Sequence, residues 1–371
     1  MNTMGIIFAN IYDSSLGELT NKRTMASLPF GGRYRQIDFS LSNMANSGIR
    51  HVGIITKYNY QSLMNHIGSG QEWDLELGEG QLEFLTPFAM GHSGSYRGKL
   101  EALHSAKEFL ELSEEEYVVM ADSGVLCNID FSKVVQEHIE SGADVTVVTK
   151  AGICDGVKQL DMAVLVDESG AVTDMAVDYC ASGDYLASMG VFVLRRDFLI
   201  ERVVECIARN RYRFERDLLL RDFDEGKLTI HAYRFQNVAL FNESTEEFYH
   251  NNLAILERKV RFSLFRGENA IYTRPRDEVP AYFGETADAK ECIIGDGCTI
   301  EGSAEHSVLF RGVHLMEGAT VKDCVIMQDA VIEPGAHIEC AILDKNVHVR
   351  AGSRLIGTYE HPAIAKRGEV V

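Results

Sequence analysis

The 371-residue chain carries 55 acidic against 36 basic residues, a net charge of −19, and 46% of it is hydrophobic. That acidic balance argues against a nucleic-acid surface or an anionic membrane surface, so any phosphate ligand must be held by a local pocket. The length suits one large domain or, more naturally, two, and no apolar run approaches the ~20 residues of a membrane span.

The N-terminus, MNTMGIIFANIYDSS, lacks a basic n-region and a small-residue cleavage site and reads as a first strand. The eight cysteines form no C-x-x-C pair, and the twelve histidines form no H-x-x-x-H or H-E-x-x-H arrangement. The expectation is a soluble, cytoplasmic protein with reduced thiols and no dedicated metal cage.

From residue 1 to about 250, short β-rich runs alternate with helical patterns, as in a largely parallel sheet covered by helices. The predicted strands are Met4–Ala9, His51–Thr56, Tyr117–Ala121, Asp144–Thr149, Met162–Val166, Ser188–Leu194 and Leu228–Phe235. The predicted helices are Arg35–Ser47, Tyr60–Ile67, Leu100–Leu110, Phe131–Ser141, Asp197–Arg209, Glu215–Asp224 and Thr245–Leu256. Leu100, Leu103, Ala106 and Leu110 fall on one helical stripe, and Glu168-Ser169-Gly170 reads as a hairpin turn.

Residues 251–285 read as a connector, with a charged stretch Glu257–Arg266 followed by Pro275 and Pro280. From Glu291 the period changes to six, as in Ile294 and Ile300, Leu309, Leu315 and Val321, then Ile326, Ile332 and Ile338, then Leu343, Val349 and Leu355. Glycine turns interrupt these runs. A sixfold aliphatic repeat predicts a left-handed parallel β-helix over 286–371. His306, His314, His337 and His348 are the residues an acyl-transferring β-helix would use, but His337 and His348 neighbour inward aliphatics and should face solvent.

Phe30-Gly31-Gly32-Arg33-Tyr34-Arg35-Gln36-Ile37-Asp38-Phe39, with Leu41-Ser42-Asn43 and Asn46-Ser47-Gly48-Ile49, closely resembles the segment after the nucleotide loop of bacterial ADP-glucose pyrophosphorylases, the glucose-1-phosphate adenylyltransferases. The resemblance continues through Ile54-Ile55-Thr56-Lys57-Tyr58, Tyr96-Arg97-Gly98, Tyr117–Asp122 and Ala187-Ser188-Met189-Gly190-Val191-Phe192. It implies an α/β fold, with a Rossmann-like, GT-A type nucleotidyltransferase domain over 1–250 ahead of the β-helix of hexapeptide repeats. It also implies a chemistry in which ATP and glucose 1-phosphate give ADP-glucose and pyrophosphate.

Against the family loop L-A-G-G-x-G-x-R-L-x-x-L-T, the chain keeps Ala9, Leu16, Leu19 and Thr20 but has Asn10, Ile11 and Asp13 where glycines belong and Ser15 for the arginine. Glycines serve there because bare N–H groups must reach phosphate from positive-φ backbone, and a β-branched residue disfavours that conformation. Family R-A-K-P-A appears as Arg23-Thr24-Met25-Ala26-Ser27, so Met25 replaces a lysine, and Phe241 falls where a second metal-holding aspartate is expected. Lys99, Leu100 and Glu101 replace the T-A-D of family Y-R-G-T-A-D-A, and no E-K-P precedes Ala187.

What the resemblance leaves is a vestigial substrate set, Tyr96, Arg97, Gly98, Glu101 and Ser188, and a vestigial metal position, Asp122. Arg33 and Arg35 either hold an anionic effector or pair with carboxylates. The pattern of loss resembles the degenerate GlgD-type regulatory subunits. It implies a weakly catalytic or non-catalytic partner of a catalytic paralogue in a heterotetramer, with self-association, a sugar-phosphate or nucleotide effector, and no nucleic acid or membrane. No cofactor is then required, and Mg²⁺ enters only with residual activity. The alternatives are a competent adenylyltransferase with a rearranged loop, and a ligand-binding sensor that has kept a sugar-phosphate or nucleotide pocket and acts alone.

Overall fold

The structure is a computed structural model that describes residues 2–10, 13–76, 81–86, 96–265 and 269–371. The chain divides into two compact units that do not follow chain order. One takes in Met1–Ile11, Ser40–Tyr60 and Ile67–Ala239, the other Tyr12–Phe39, Gln61–His66 and Leu240–Val371. The early loop therefore clusters with the C-terminal region.

The first unit is built on Thr3–Phe8, buried along its whole length as befits a central strand covered on both faces. It pairs in parallel with His51–Ile55 and with Tyr117–Asp122, and His51–Ile55 pairs in parallel with Gln81–Leu85. Leu186–Arg195 runs antiparallel to Tyr117–Asp122 and to Val145–Lys150, and a hairpin of Leu160–Val166 with Val172–Tyr179 extends the sheet. The sheet is thus mixed, where alternating strands and helices had suggested a largely parallel one. Leu186–Arg195 and the hairpin with its turn at Gly170 (φ +85) supply the antiparallel pairings.

The helix predicted at Leu100–Leu110 is two, Lys99–Ser105 and Lys107–Leu112, meeting at Ala106, yet Leu100, Leu103, Ala106 and Leu110 stay buried on one stripe. Glu215–Asp224 is not one α-helix. Phe214–Leu220 is a widened π-helical segment and Arg221–Asp224 an α-turn, with Asp217 Oδ2 accepting from the Tyr212 and Arg213 amides.

In the second unit, Arg258–Phe265 is a helix inside the stretch expected as connector, and the first coil strand is Tyr282–Phe283. A left-handed parallel β-helix follows. Tyr282–Phe283, Thr299–Ile300, His314–Leu315, Val331–Ile332 and His348–Val349 form one parallel ladder. Thr299 pairs with His314 and His314 with Val331, so successive coils take 15 and 17 residues, and the shortened coils produce the phase slips in the hexapeptide pattern. Ile300, Leu315, Ile332 and Val349 stack inward, each fully buried. The coil histidines are tied to neighbouring turns, His306 to Asp323 (2.6 Å), His337 to Thr320 (2.6 Å) and His348 to Glu333 (2.7 Å), and His314 is exposed.

Candidate functional site

Ligands of open α/β sheets sit outside the carboxyl ends of parallel strands, where the strand order reverses. Here that point lies at Phe8, whose neighbours are Ile55 on one side and Asp122 on the other. Asp122 is buried, and the Lys99 ammonium donates to its Oδ2 at 2.8 Å and to Glu215 Oε1 at 2.5 Å. The same ammonium lies 5.6 Å from the ring centroids of Phe8 and Phe192. Burial works against its charge, but the charges and hydrogen bonds of Asp122 and Glu215 outweigh it, so the ammonium pKa is raised. Burial lifts Asp122 to about 7 against the pull of Lys99, with Glu215 adding to the rise.

The glycines of the two motifs here have packing reasons. A Cβ on Gly98 would overlap the Tyr212 carbonyl oxygen, and one on Gly190 (φ +64) would overlap Asp122 Oδ2. Arg97 is exposed, stacks 3.5 Å from the Tyr212 ring centroid and pairs with Glu101, which also accepts from the Arg97 amide at 2.6 Å. Tyr96 is buried, and Ser188 Oγ accepts from the Gly190 amide.

Magnesium requires near-octahedral oxygen ligands. One oxygen of each carboxylate, Asp122 Oδ2 and Glu215 Oε1, is already bonded to an ammonium whose positive charge stands where a cation would sit, so with Lys99 in place these residues do not fit a divalent cation. Among the described residues no group of three or more His, Cys, Asp or Glu gathers to hold a metal.

Ile11 lies outside the described residues. Asn10 is buried, its Oδ1 accepting from the Lys57 amide at 2.9 Å. In the second unit, Asp13 is buried, its Oδ1 accepts from the Met25 amide at 2.7 Å, and its carbonyl accepts from Thr20 Oγ1 at 2.6 Å. Met25 is fully buried, Ser15 is exposed, and Phe241 is buried at the end of Ala239–Phe241.

Also in the second unit, cations crowd around Arg35. Arg33 is exposed beside Tyr34, whereas Arg35 is buried and donates to the Ser62 carbonyl and hydroxyl at 2.8 and 3.0 Å. Burial, with Arg23, Arg276 and Arg274 acting against Asp38, lowers its pKa to about 10. Lys345 falls to about 6, first through burial and then through Arg35, Arg23 and Arg367. Arg23 is buried and pairs with Asp344. Sequence reading singled out Arg33 and Arg35 but missed Arg23 and Lys345 as neighbours of Arg35, and it missed Glu215. The one local signal for the Lys99 site was a lysine in the first turn of a helix, where the helix dipole disfavours a cation.

An α/β unit with a carboxylate at its switch point, followed in the chain by a hexapeptide β-helix, defines a sugar-nucleotidyltransferase architecture. Residues 5–229 match the family model for nucleotidyl transferase, and residues 278–366 that for the GlmU-like C-terminal hexapeptide. The glucose-1-phosphate adenylyltransferase of Bacillus anthracis is 33% identical over 354 residues, covering 94% of this chain and 93% of that one. The glycogen biosynthesis protein GlgD of Bacillus subtilis (strain 168) is 29% identical over 367 residues, covering 99% and 96%. The chain belongs to the glucose-1-phosphate adenylyltransferase family. No described helix is long and apolar enough to cross a membrane.

Proposed function

We propose that the chain is a regulatory subunit in glycogen biosynthesis, with little or no turnover of its own, and that it modulates a catalytic paralogue making ADP-glucose from ATP and glucose 1-phosphate. The observation that carries this reading is the Asp13 carboxylate bonded to the Met25 amide. A loop that cradles polyphosphate offers bare amides to the ligand, and here the chain's own carboxylate takes one and brings a negative charge with it. Removing one transition-state donor costs ~10²–10³ in rate, and such losses within one site combine less than additively. Loss of the loop glycines, the loop arginine, the lysine at Met25 and the carboxylate at Phe241 amounts to at least roughly four orders of magnitude on the same figures.

The partner in this reading is the catalytic paralogue in a mixed tetramer in the cytoplasm, and no cofactor is needed. The effector is an anion, a sugar phosphate or nucleotide, drawn to the cations around Arg35. Pyrophosphate release from ATP and glucose 1-phosphate with Mg²⁺ tests the proposal on this chain alone, the paralogue alone and the co-expressed pair. Silence alone, with a pair that differs from the paralogue in rate or effector response, supports it. Ordinary turnover by this chain alone overturns it in favour of a competent enzyme with a rearranged loop.

A further inference from the structure

We propose that the Lys99 ammonium is a built-in replacement for a divalent cation, and that removing it uncovers a metal-binding pair of carboxylates, Asp122 and Glu215. The lysine side chain is 7% exposed and its partners 3% and 15%, so the cluster is closed from water. One ammonium faces two carboxylates at 2.8 and 2.5 Å, which leaves negative charge over. Asp122 Oδ1 is buried without a hydrogen-bond partner among the described residues. A single point charge with N–H donors is a poor match for such an oxygen-rich site, whereas a hard divalent cation takes its ligands from several oxygens at once.

Local structure does not call for a lysine at this position. It stands in the first turn of Lys99–Ser105, where the exposed N–H groups favour an anion, and Glu101 is the residue that meets that preference. Lys99 is held instead by tertiary partners, Asp122 at a strand end and Glu215 at the start of the π-helical segment. Ammonium and metal compete for the same carboxylate oxygens, so the chain as it stands is closed to a cation there. This stands apart from the regulatory reading, because it concerns cation binding with no substrate present.

Mn²⁺ titration followed by electron paramagnetic resonance, without nucleotide, tests it on wild type, D122N, K99T, K99Q and K99T/D122N. The expected result is no wild-type uptake that D122N removes. In K99T, uptake should be at least about tenfold tighter than in wild type and lost again in K99T/D122N. K99Q keeps the side-chain length without the charge and should bind more tightly than wild type. Wild-type Mn²⁺ uptake abolished by D122N overturns the proposal even if K99T does not fold. So does the absence of uptake in folded K99T and K99Q. Turnover by the wild-type chain would count against the regulatory reading and leaves this titration to decide on its own.

Discussion

Asp13 Oδ1 and the Met25 amide, twelve positions apart in the chain, are joined by a 2.7 Å hydrogen bond that closes the early loop on itself. Both residues are buried, so deleting the acceptor removes a hydrogen bond in a place closed to water. Asp13→Ala should lose about 1–3 kcal/mol of unfolding free energy. Asp13→Asn keeps an acceptor oxygen and should lose less. Urea unfolding of the two variants measures the difference, and equal losses would mean that the loop is held by something else.

Arg23 and Asp344 form a buried ion pair 321 residues apart, with both side chains 3% exposed. Removing one partner of such a pair leaves an uncompensated charge and costs about 3–5 kcal/mol. Asp344→Ala should show that loss, and the double change Arg23→Met with Asp344→Leu should recover much of it. A double-mutant cycle by chemical denaturation gives the coupling directly. Additive losses would show that the pair contributes nothing beyond its separate groups.

Lys345 titrates at about 6 in the folded chain because burial and the neighbouring arginines oppose its charge. A lysine with a depressed folded pKa binds more protons unfolded than folded between about 6 and the ordinary ~10.4. Its stabilising share is therefore present above that ordinary value and is lost as pH falls towards 6. One proton gives a slope of at most ~1.4 kcal/mol per pH unit. Lys345→Met should flatten the fall in stability between pH 9 and pH 6, read as the wild-type-minus-variant difference in unfolding free energy. Sulfate should reduce the difference by pairing with the same cations.

Gly190 combines φ +64 with a position where a Cβ would overlap Asp122 Oδ2. A left-handed non-glycine residue costs roughly 1–2 kcal/mol before any overlap is counted. Gly190→Ala should therefore lower the thermal midpoint more than Gly226→Ala, which shares a positive φ but faces open space. Calorimetry on the two variants separates backbone strain from the crowding at Asp122.

Much of the fold was legible because its signals are local. The apolar runs at Thr3–Phe8 and Tyr117–Asp122 read as strands from their own composition, and the sixfold aliphatics of Ile326, Ile332 and Ile338 repeat within a few residues of one another. Gln81–Leu85 was missed, since QLEFL is partly polar, and its place in the sheet comes from pairing with His51–Ile55. The π-helical segment was missed because its residues suit an α-helix equally well, and only Glu215's reach to Lys99 and the Asp217 hydrogen bonds mark it out.

The chain's own letters determined the two architectures in order and the family motifs. Tertiary structure decided which buried charges meet. Nothing in the order of residues pairs Lys99 with Glu215, 116 positions away, or Arg23 with Asp344. Periodicity is a property of neighbours along the chain and can be read from them. The partner of a buried charge is fixed only when the folded backbone excludes water and leaves one counter-charge within reach.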